Sequence, residues 1–161
     1  RKQIIATLKA LQALKVQILA IYPCSDPGYL NIIKELKKTN KMYSNFHLHK
    51  NINLRDFYNL FKYSSIILGN SSCGITESAF FQVPAINIGT RQEGRLSGRN
   101  VYNIGHSSIL IRKTILKLLN KKLNYFSSKY IYGNGKSAIK IINIFEKMLN
   151  RKKLIEKKFI N

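Results

Sequence analysis

The stretch from Ser65 to Arg99, SIILGNSSCGITESAFFQVPAINIGTRQEGRLSGR, constrains this chain more than any other. Ile66, Ile67 and Leu68 form a short apolar run that reads as a buried strand, ended by Gly69. Asn70 to Gly74 are all small or polar. From Thr76 to Phe81 the pattern turns helical, Gln82-Val83-Pro84 breaks it, and Ala85 to Ile88 reads as the next strand. A strand, a Ser/Gly loop, a helix and a second strand make a unit of parallel sheet. Such a unit delivers a helix N-terminus at the carboxyl end of a strand. There, free N–H groups and the positive end of the helix dipole favour an anion, usually a phosphate.

Residues 71–81 are expected to form that helix, with its N-terminus facing an open crevice. Ser71 and Ser72 add hydroxyl donors, and Ser72 suits the N-cap. Gly74 lets a ligand approach the backbone. Glu77 lies about 7.5 Å beyond Ser72 along a helix axis. That offset fits phosphates at the helix end and a ribose further along, because a carboxylate binds a vicinal diol and repels a phosphate placed closer. An ordinary capped helix in an α/β domain shares this local pattern, so the rest of the chain has to decide.

The flanking sequence repeats the alternation. Residues 2–14 carry Ile4, Ile5, Leu8, Leu11 and Leu14 at helical spacing. Val16 to Tyr22 reads as a strand, Pro23 to Gly28 as a turn with two prolines, and Tyr29 to Leu36 as a helix. Lys37 to Asn45 reads as a basic, polar loop. Phe46 and Leu48 alternate with His47 and His49 as in a short strand. Asn53 can cap a helix from Leu54 to Phe61, with Phe57, Leu60 and Phe61 facing inward. Gly89 to Gly98 is a long polar loop, Val101 to Ile104 a strand, and Ser107 or Ser108 starts a helix reaching Leu119. A basic, aromatic connection ends at Gly133-Asn134-Gly135. Ser137 starts the last helix, with Ile141, Ile142, Phe145, Met148 and Leu149 as its apolar face. The basic segment after Asn150 continues or frays that helix. The expected fold is therefore α/β, a Rossmann-like parallel sheet with helices on both faces, in one domain spanning residues 1–161.

Composition narrows the partners. The 161 residues include 28 Lys and Arg against 7 Asp and Glu, a formal charge of +21. That balance favours anionic partners. The lysines are scattered, and Lys, Asn and Ile are abundant throughout, so compositional bias explains the charge better than a nucleic-acid footprint on one face. The nine Tyr and eight Phe fall mostly on expected core faces. No specific nucleic-acid binding is expected. No stretch approaches the roughly 20 apolar residues of a membrane span, so no membrane partner is expected either. The chain opens on Arg1 rather than Met, and the expectation is a piece from which a preceding segment has been removed. No signal peptide is recognisable, which says little of a chain opened in this way. Cys24 and Cys73 stand in no paired-ligand spacing, and a reducing cytoplasm is the simpler setting for them than a disulfide.

Of the acids, Glu35, Asp56, Glu146 and Glu156 lie in expected helices beside Lys or Arg and read as solvated faces. Asp26 sits in the Pro-rich turn, where it can cap the helix that follows. Glu77 and Glu93 remain, both in the organising stretch. His47 and His49 share a strand face without a third ligand nearby, so a polar face is favoured over a metal pair. His106 falls in a turn, and no Ser-His-Asp order can be argued. Arg91 and Arg95 flank Glu93 on the long loop. Arginine offers a planar fork for phosphate or carboxylate, and that loop should overhang the same crevice as Ser71 and Ser72. A solvated loop whose charges pair with each other is the alternative.

These residues carry a specific resemblance. Gly69-Asn-Ser-Ser-Cys-Gly-Ile-Thr-Glu77, Pro84-Ala-Ile-Asn-Ile-Gly-Thr-Arg-Gln-Glu-Gly-Arg95 and Gly98-Arg-Asn-Val101 look like the UDP-N-acetylglucosamine 2-epimerase family. They are most similar to its hydrolysing branch, used in sialic acid and related nonulosonic acid synthesis. Tyr130-Ile-Tyr-Gly-Asn-Gly135 before a terminal helix resembles that branch too, as does Tyr22-Pro23 through Asp26 and Gly28. The resemblance runs from about Val16 to Leu149. It implies the C-terminal, nucleotide-binding half of a GT-B-like two-domain enzyme. Ser71 and Ser72 would hold the UDP pyrophosphate and Glu77 the ribose hydroxyls, with Gly74 beside the ligand and Arg91 facing the crevice. Residues around Ile52 to Leu54 match the segment beside the uracil.

The resemblance places the family's catalytic carboxylates in the N-terminal domain, and an implicated histidine just before the point where this chain starts. It therefore implies no catalytic residue here, no metal and no cofactor, and a fragment inactive without that domain. Its partner would be a UDP-sugar, and the full-length protein a cytoplasmic homo-oligomer. The implied reaction is UDP-N-acetylglucosamine plus water to N-acetylmannosamine plus UDP, or its equivalent on a UDP-2,4-diacetamido sugar. Half of a UDP-sugar glycosyltransferase would share the fold, but the Gly89 to Arg95 loop favours the epimerase. A basic nucleic-acid-binding domain is the rival from another class.

Overall fold

A computed structural model describes residues 2–12, 14–120 and 130–149. In order, the elements are α1 (Lys2–Leu11), β1 (Ile18–Ile21), α2 (Tyr29–Met42), β2 (Phe46–His49), α3 (Leu54–Tyr63) and β3 (Ile67–Gly69). A 3₁₀ turn (Ser72–Gly74), α4 (Thr76–Phe81), β4 (Ala85–Ile88), β5 (Val101–Ile104), α5 (Ser108–Leu119) and α6 (Ser137–Leu149) complete them. The segment after Asn150, with Glu156, and most of the connection between α5 and α6 lie outside the described residues.

All strand pairs are parallel. β1 pairs with β2, Ile18 opposite Phe46. β4 lies between β3 and β5, with Ala85 opposite Ile67 on one side and Val101 on the other. The expected single sheet is thus two hydrogen-bonded units, and α1 joins them. Its Ala10, with Leu14 just beyond, is buried with Ile86, Ile88, Ile111, Ile115 and Leu118. Its Leu8 is buried with Leu36 and Phe46. Leu11 packs against both groups. Asn45 reinforces the join by donating to the carbonyls of Leu14 (3.1 Å) and Val16 (2.8 Å).

All four residues of β4 are buried. Successive side chains of a strand point to opposite faces. Ile86 and Ile88 meet α1 and α5, and Ala85 and Asn87 lie on the face reached by the 3₁₀ turn. The β1–β2 unit is apolar toward α1 and α2, while Leu19, Ile21, His47 and His49 are exposed. His47 Nε2 is hydrogen bonded to Gln17 Oε1 at 2.7 Å, which accords with the polar-face reading.

Several local expectations change. The helix from Tyr29 runs on to Met42, through the segment expected as loop. Lys37, Lys38 and Lys41 have no apolar rhythm, but lysine is a good helix former and its charge stays in solvent. Asp26 does not cap that helix through its side chain. Gly28 holds the N-cap position with φ 86°, and the Asp26 carbonyl accepts from the Tyr29 amide at 3.0 Å. Asn53 does cap α3, its side chain accepting from the Asp56 amide. On that helix Phe61 is buried and Phe57 half-buried, but Leu60 is exposed. Helix α6 forms where expected, yet buries none of its side chains.

Candidate functional site

Parallel strands put their carboxyl ends on one edge, and the loops leaving β3, β4 and β5 gather there. The first, after Gly69, does not lead into one helix over 71–81. Ser72–Gly74 forms a 3₁₀ turn, Ile75 interrupts with φ −105° and ψ −50°, and α4 begins at Thr76. Ser71, not Ser72, occupies the N-cap position, and its side chain makes no capping bond. The interruption has a packing cause. Ile75 is 1% exposed, and swinging it into the core takes the chain out of a regular helix. The field at this end is that of a tight turn and a six-residue helix, so less of it comes from a summed macrodipole and more from individual N–H and O–H groups.

That leaves Ser71 and Ser72 exposed on the edge. The Ser71 carbonyl accepts from the Gly74 amide (3.1 Å) and the Ser72 carbonyl from Ile75 (2.8 Å). Cys73 Sγ donates to Ser71 Oγ at 3.2 Å. Burial pushes the Cys73 thiol above its ordinary value, with the Glu77 carboxylate adding to the rise and the Ser71 bond opposing it. Gly74 has no crowding of its own, for a Cβ there would meet only Ile67 Cγ2 at 3.9 Å. Glu77 is half-buried in the first turn of α4 and accepts from Thr76 Oγ1. It follows Ser72 by five residues, the first of them in the 3₁₀ turn, whose rise per residue exceeds that of an α-helix. It lines a shallow depression with Tyr58, Thr76, Phe80 and Phe81. There the Tyr58 and Phe81 rings lie 5.8 Å apart, tilted by 42°, and the buried Phe61 backs Phe81 at 6.0 Å.

A buried polar chain anchors α4. Ser78 Oγ donates to the Gly74 carbonyl at 2.7 Å. Asn100, fully buried, donates through Nδ2 to Ser78 Oγ (2.8 Å) and to the Val83 carbonyl (2.9 Å). Asn100 lies just before β5, so the next strand holds the helix that carries Glu77.

The β4 loop is tied to both neighbouring loops. Arg91 pairs with Asp26 at 2.9 Å, both side chains more than half exposed. It reaches the β1–α2 turn instead of pairing within its own loop with Glu93. Gln92, only 7% exposed, donates through Nε2 to the Asn70 carbonyl at 2.8 Å. Further along, the Tyr132 hydroxyl donates to the Leu96 carbonyl, and burial raises the Tyr132 phenol against the lowering pull of Arg95. The loop starts at Gly89, where φ is 83° and an added Cβ would lie 2.7 Å from His106 Nε2. Only glycine fits this turn against the imidazole.

The structure brings Ser71, Ser72, Gly74 and Glu77 into one segment, with the Arg91 loop bonded to its base. Asp26 and Gln92 take part in that arrangement although sequence reasoning gave them no such role. Neither burial of one polar residue in a polar loop nor a pairing across 65 positions leaves a periodic signal. Ile52 to Leu54 sit at the carboxyl end of β2, leading into α3.

Three comparisons bear on this geometry. The family model described as UDP-N-acetylglucosamine 2-epimerase matches residues 1–146. A UDP-N-acetylglucosamine 2-epimerase of Neisseria meningitidis is 34% identical over 62% of this chain and 26% of its own length. A UDP-N,N'-diacetylbacillosamine 2-epimerase (hydrolyzing) of Legionella pneumophila is 29% identical over 91% of this chain and 40% of its own. The chain thus spans two fifths or less of the curated relatives it matches. Among solved structures, the UDP-GlcNAc 2-epimerase of Methanocaldococcus jannaschii, in complex with UDP-GlcNAc and UDP, superposes with a TM-score of 0.54 at 17% identity. The match covers 91% of this chain and 53% of that one, and at such identity it shows the fold alone.

Proposed function

Because the chain belongs to the UDP-N-acetylglucosamine 2-epimerase family, we propose that it supplies the UDP-holding domain of a hydrolysing 2-epimerase. The observation that carries this reading is the carboxyl edge of β3 and β4. There exposed Ser71 and Ser72 lie on a tight turn, Glu77 lies in the first turn of the helix that follows, and the Arg91 loop is bonded to the base of the tight turn. In this reading the serine hydroxyls and turn amides take the diphosphate, and the Glu77 carboxylate accepts from the ribose hydroxyls. Arg91 exchanges Asp26 for a phosphate oxygen.

The reaction explains why such a cradle matters. A base takes the proton from sugar C2, the C1–O bond breaks, and UDP leaves with the electron pair, giving a glycal. Water then adds its hydroxyl at C1, and a proton returns to C2 on the opposite face. The products are the free 2-epimeric sugar and UDP. The C2 hydrogen is weakly acidic, so the departing UDP needs stabilisation, and fixed donors supply it. The proton-moving groups are assigned to the domain that precedes this one in the family. The cytoplasmic setting is part of the same reading, and two free cysteines suit a reducing compartment.

Calorimetry tests the cradle. Glu77→Ala should weaken UDP binding by more than it weakens inorganic pyrophosphate, and Ser71→Ala/Ser72→Ala should weaken both. Equal losses for the two ligands in Glu77→Ala would remove the ribose role. With the preceding domain present, an assay in ¹⁸O-labelled water should release free UDP together with labelled C1 hydroxyl. A UDP-linked epimer accumulating without free UDP would place the protein in the non-hydrolysing branch.

A further inference from the structure

Gln92 buries a carboxamide in a loop that is otherwise polar and open. Its side chain is 7% exposed. One end of the amide is used: Nε2 donates to the Asn70 carbonyl at 2.8 Å. The other end, Oε1, is buried with no hydrogen-bond partner among the described residues. A buried acceptor without a donor costs about as much as one hydrogen bond returns, or more. Gln92 is therefore a poor residue for stability alone, since an apolar side chain of similar length would fill the space without the orphaned oxygen. Unsatisfied groups in folded proteins call for a reason, and rules of local consistency break most often where function demands it.

The reason lies in what the bond touches. Asn70 immediately precedes Ser71 and Ser72, and its carbonyl comes just before that of Ser71, which accepts the first bond of the 3₁₀ turn. Gln92 itself sits in a compact turn, closed by the Glu93 amide donating to Thr90 (2.9 Å) and the Arg95 amide to Gln92 (3.3 Å). Next to it, Arg91 is held to Asp26 at 2.9 Å. The dipeptide Arg91-Gln92 thus connects three loops from the carboxyl edge, after β1, β3 and β4. Of its two ties, the ion pair is more than half exposed, whereas the hydrogen bond from Gln92 is part-buried and so better shielded from water.

We propose that Gln92 is a positioning residue: its buried amide holds the Ser71–Ser72 turn in the geometry that receives a diphosphate. The proposal rests on the nucleotide reading above and adds to it the residue that pre-forms the phosphate cradle. Without the tie, the turn samples several arrangements, and apparent affinity falls by the fraction that remains competent. Phosphate-bearing ligands pay that cost. A ligand held only through its nucleoside does not.

The test is Gln92→Met, which keeps length and removes both the donor and the orphaned oxygen. UDP and pyrophosphate should each bind about tenfold more weakly, which corresponds to a competent fraction near one tenth. Uridine should bind within about twofold of the parent chain, and the thermal midpoint should hold. Amide hydrogen exchange, read without ligand, should rise at residues 71–74 and stay unchanged in β4. Equal loss for UDP and uridine together with a lowered midpoint would make Gln92 merely structural, and unchanged exchange at 71–74 would overturn the proposal. If the parent chain bound neither UDP nor pyrophosphate, the nucleotide reading would fall, and the exchange measurement alone would decide whether Gln92 fixes the turn. Should Gln92→Met fail to fold, Gln92→Asn keeps the amide but falls a methylene short of Asn70, and makes the same measurements.

Discussion

Helices α5 and α6 are written in nearly the same way and end in opposite situations. Both start at a serine, both carry isoleucines at helical spacing, and both bear lysines on the intervening positions. Helix α5 buries Ile111, Ile115 and Leu118 against β4 and α1. Helix α6 leaves Ile139, Ile142, Phe145 and Leu149 each more than half exposed. An apolar stripe thus states that a helix needs a partner surface, and the rest of the fold decides whether one is supplied. Burial is worth roughly 25 cal/mol per Å² of apolar surface, so α5 contributes to holding the domain together while α6 contributes little in this chain.

The contrast can be broken most directly at Ile111, which is fully buried. Ile111→Ala should cost about 2–5 kcal/mol in urea denaturation, through lost transfer energy and the cavity left behind. A cost under about 1 kcal/mol would mean that α5 is not part of the cooperative core.

A smaller effect sharpens the contrast at the two cysteines, one half-buried near the site and one exposed. Burial raises the Cys73 thiol, so its neutral form is favoured in the folded chain. The associated stability is fully present below the unfolded thiol value of about 8.5, and is lost as pH rises through the higher folded value. Iodoacetamide at pH 8 should therefore label Cys24 first, with Cys73 catching up only at more alkaline pH. Cys73 reacting as fast as Cys24 at pH 8 would contradict its burial.

The smallest effect is expected on α6 itself. Phe145→Ala should change the stability of this chain by no more than about 0.5 kcal/mol, as surface substitutions do. A loss comparable to that of Ile111→Ala would show that α6 packs against the domain after all.

The same distinction explains how far the site could be read in advance. The place of Ser71, Ser72 and Gly74 between a strand and a helix was legible, because small residues there are a local pattern with a local cause, and so was that of Glu77 on the helix that follows. Whether they form one helix or two pieces was not, because the break follows from Ile75 seeking the core. Arg91 was legible as a loop arginine, but its pairing with Asp26 was not, since no rule of spacing connects the β1 and β4 loops.

By itself the sequence determined the alternation of strands and helices, the cap at Asn53, the start of α5 to within Ser107 or Ser108, and the position of the small-residue loop between β3 and α4. These depend on side-chain periodicity, backbone propensity and hydrogen bonds reaching only a few residues. Only the tertiary structure decided the division into two parallel units joined by α1 and the exposure of α6. It also decided the burial of Gln92 with one end of its amide bonded and the other orphaned. Those depend on which surfaces meet after the chain folds back, and burial is a property of the pair of surfaces, not of either segment.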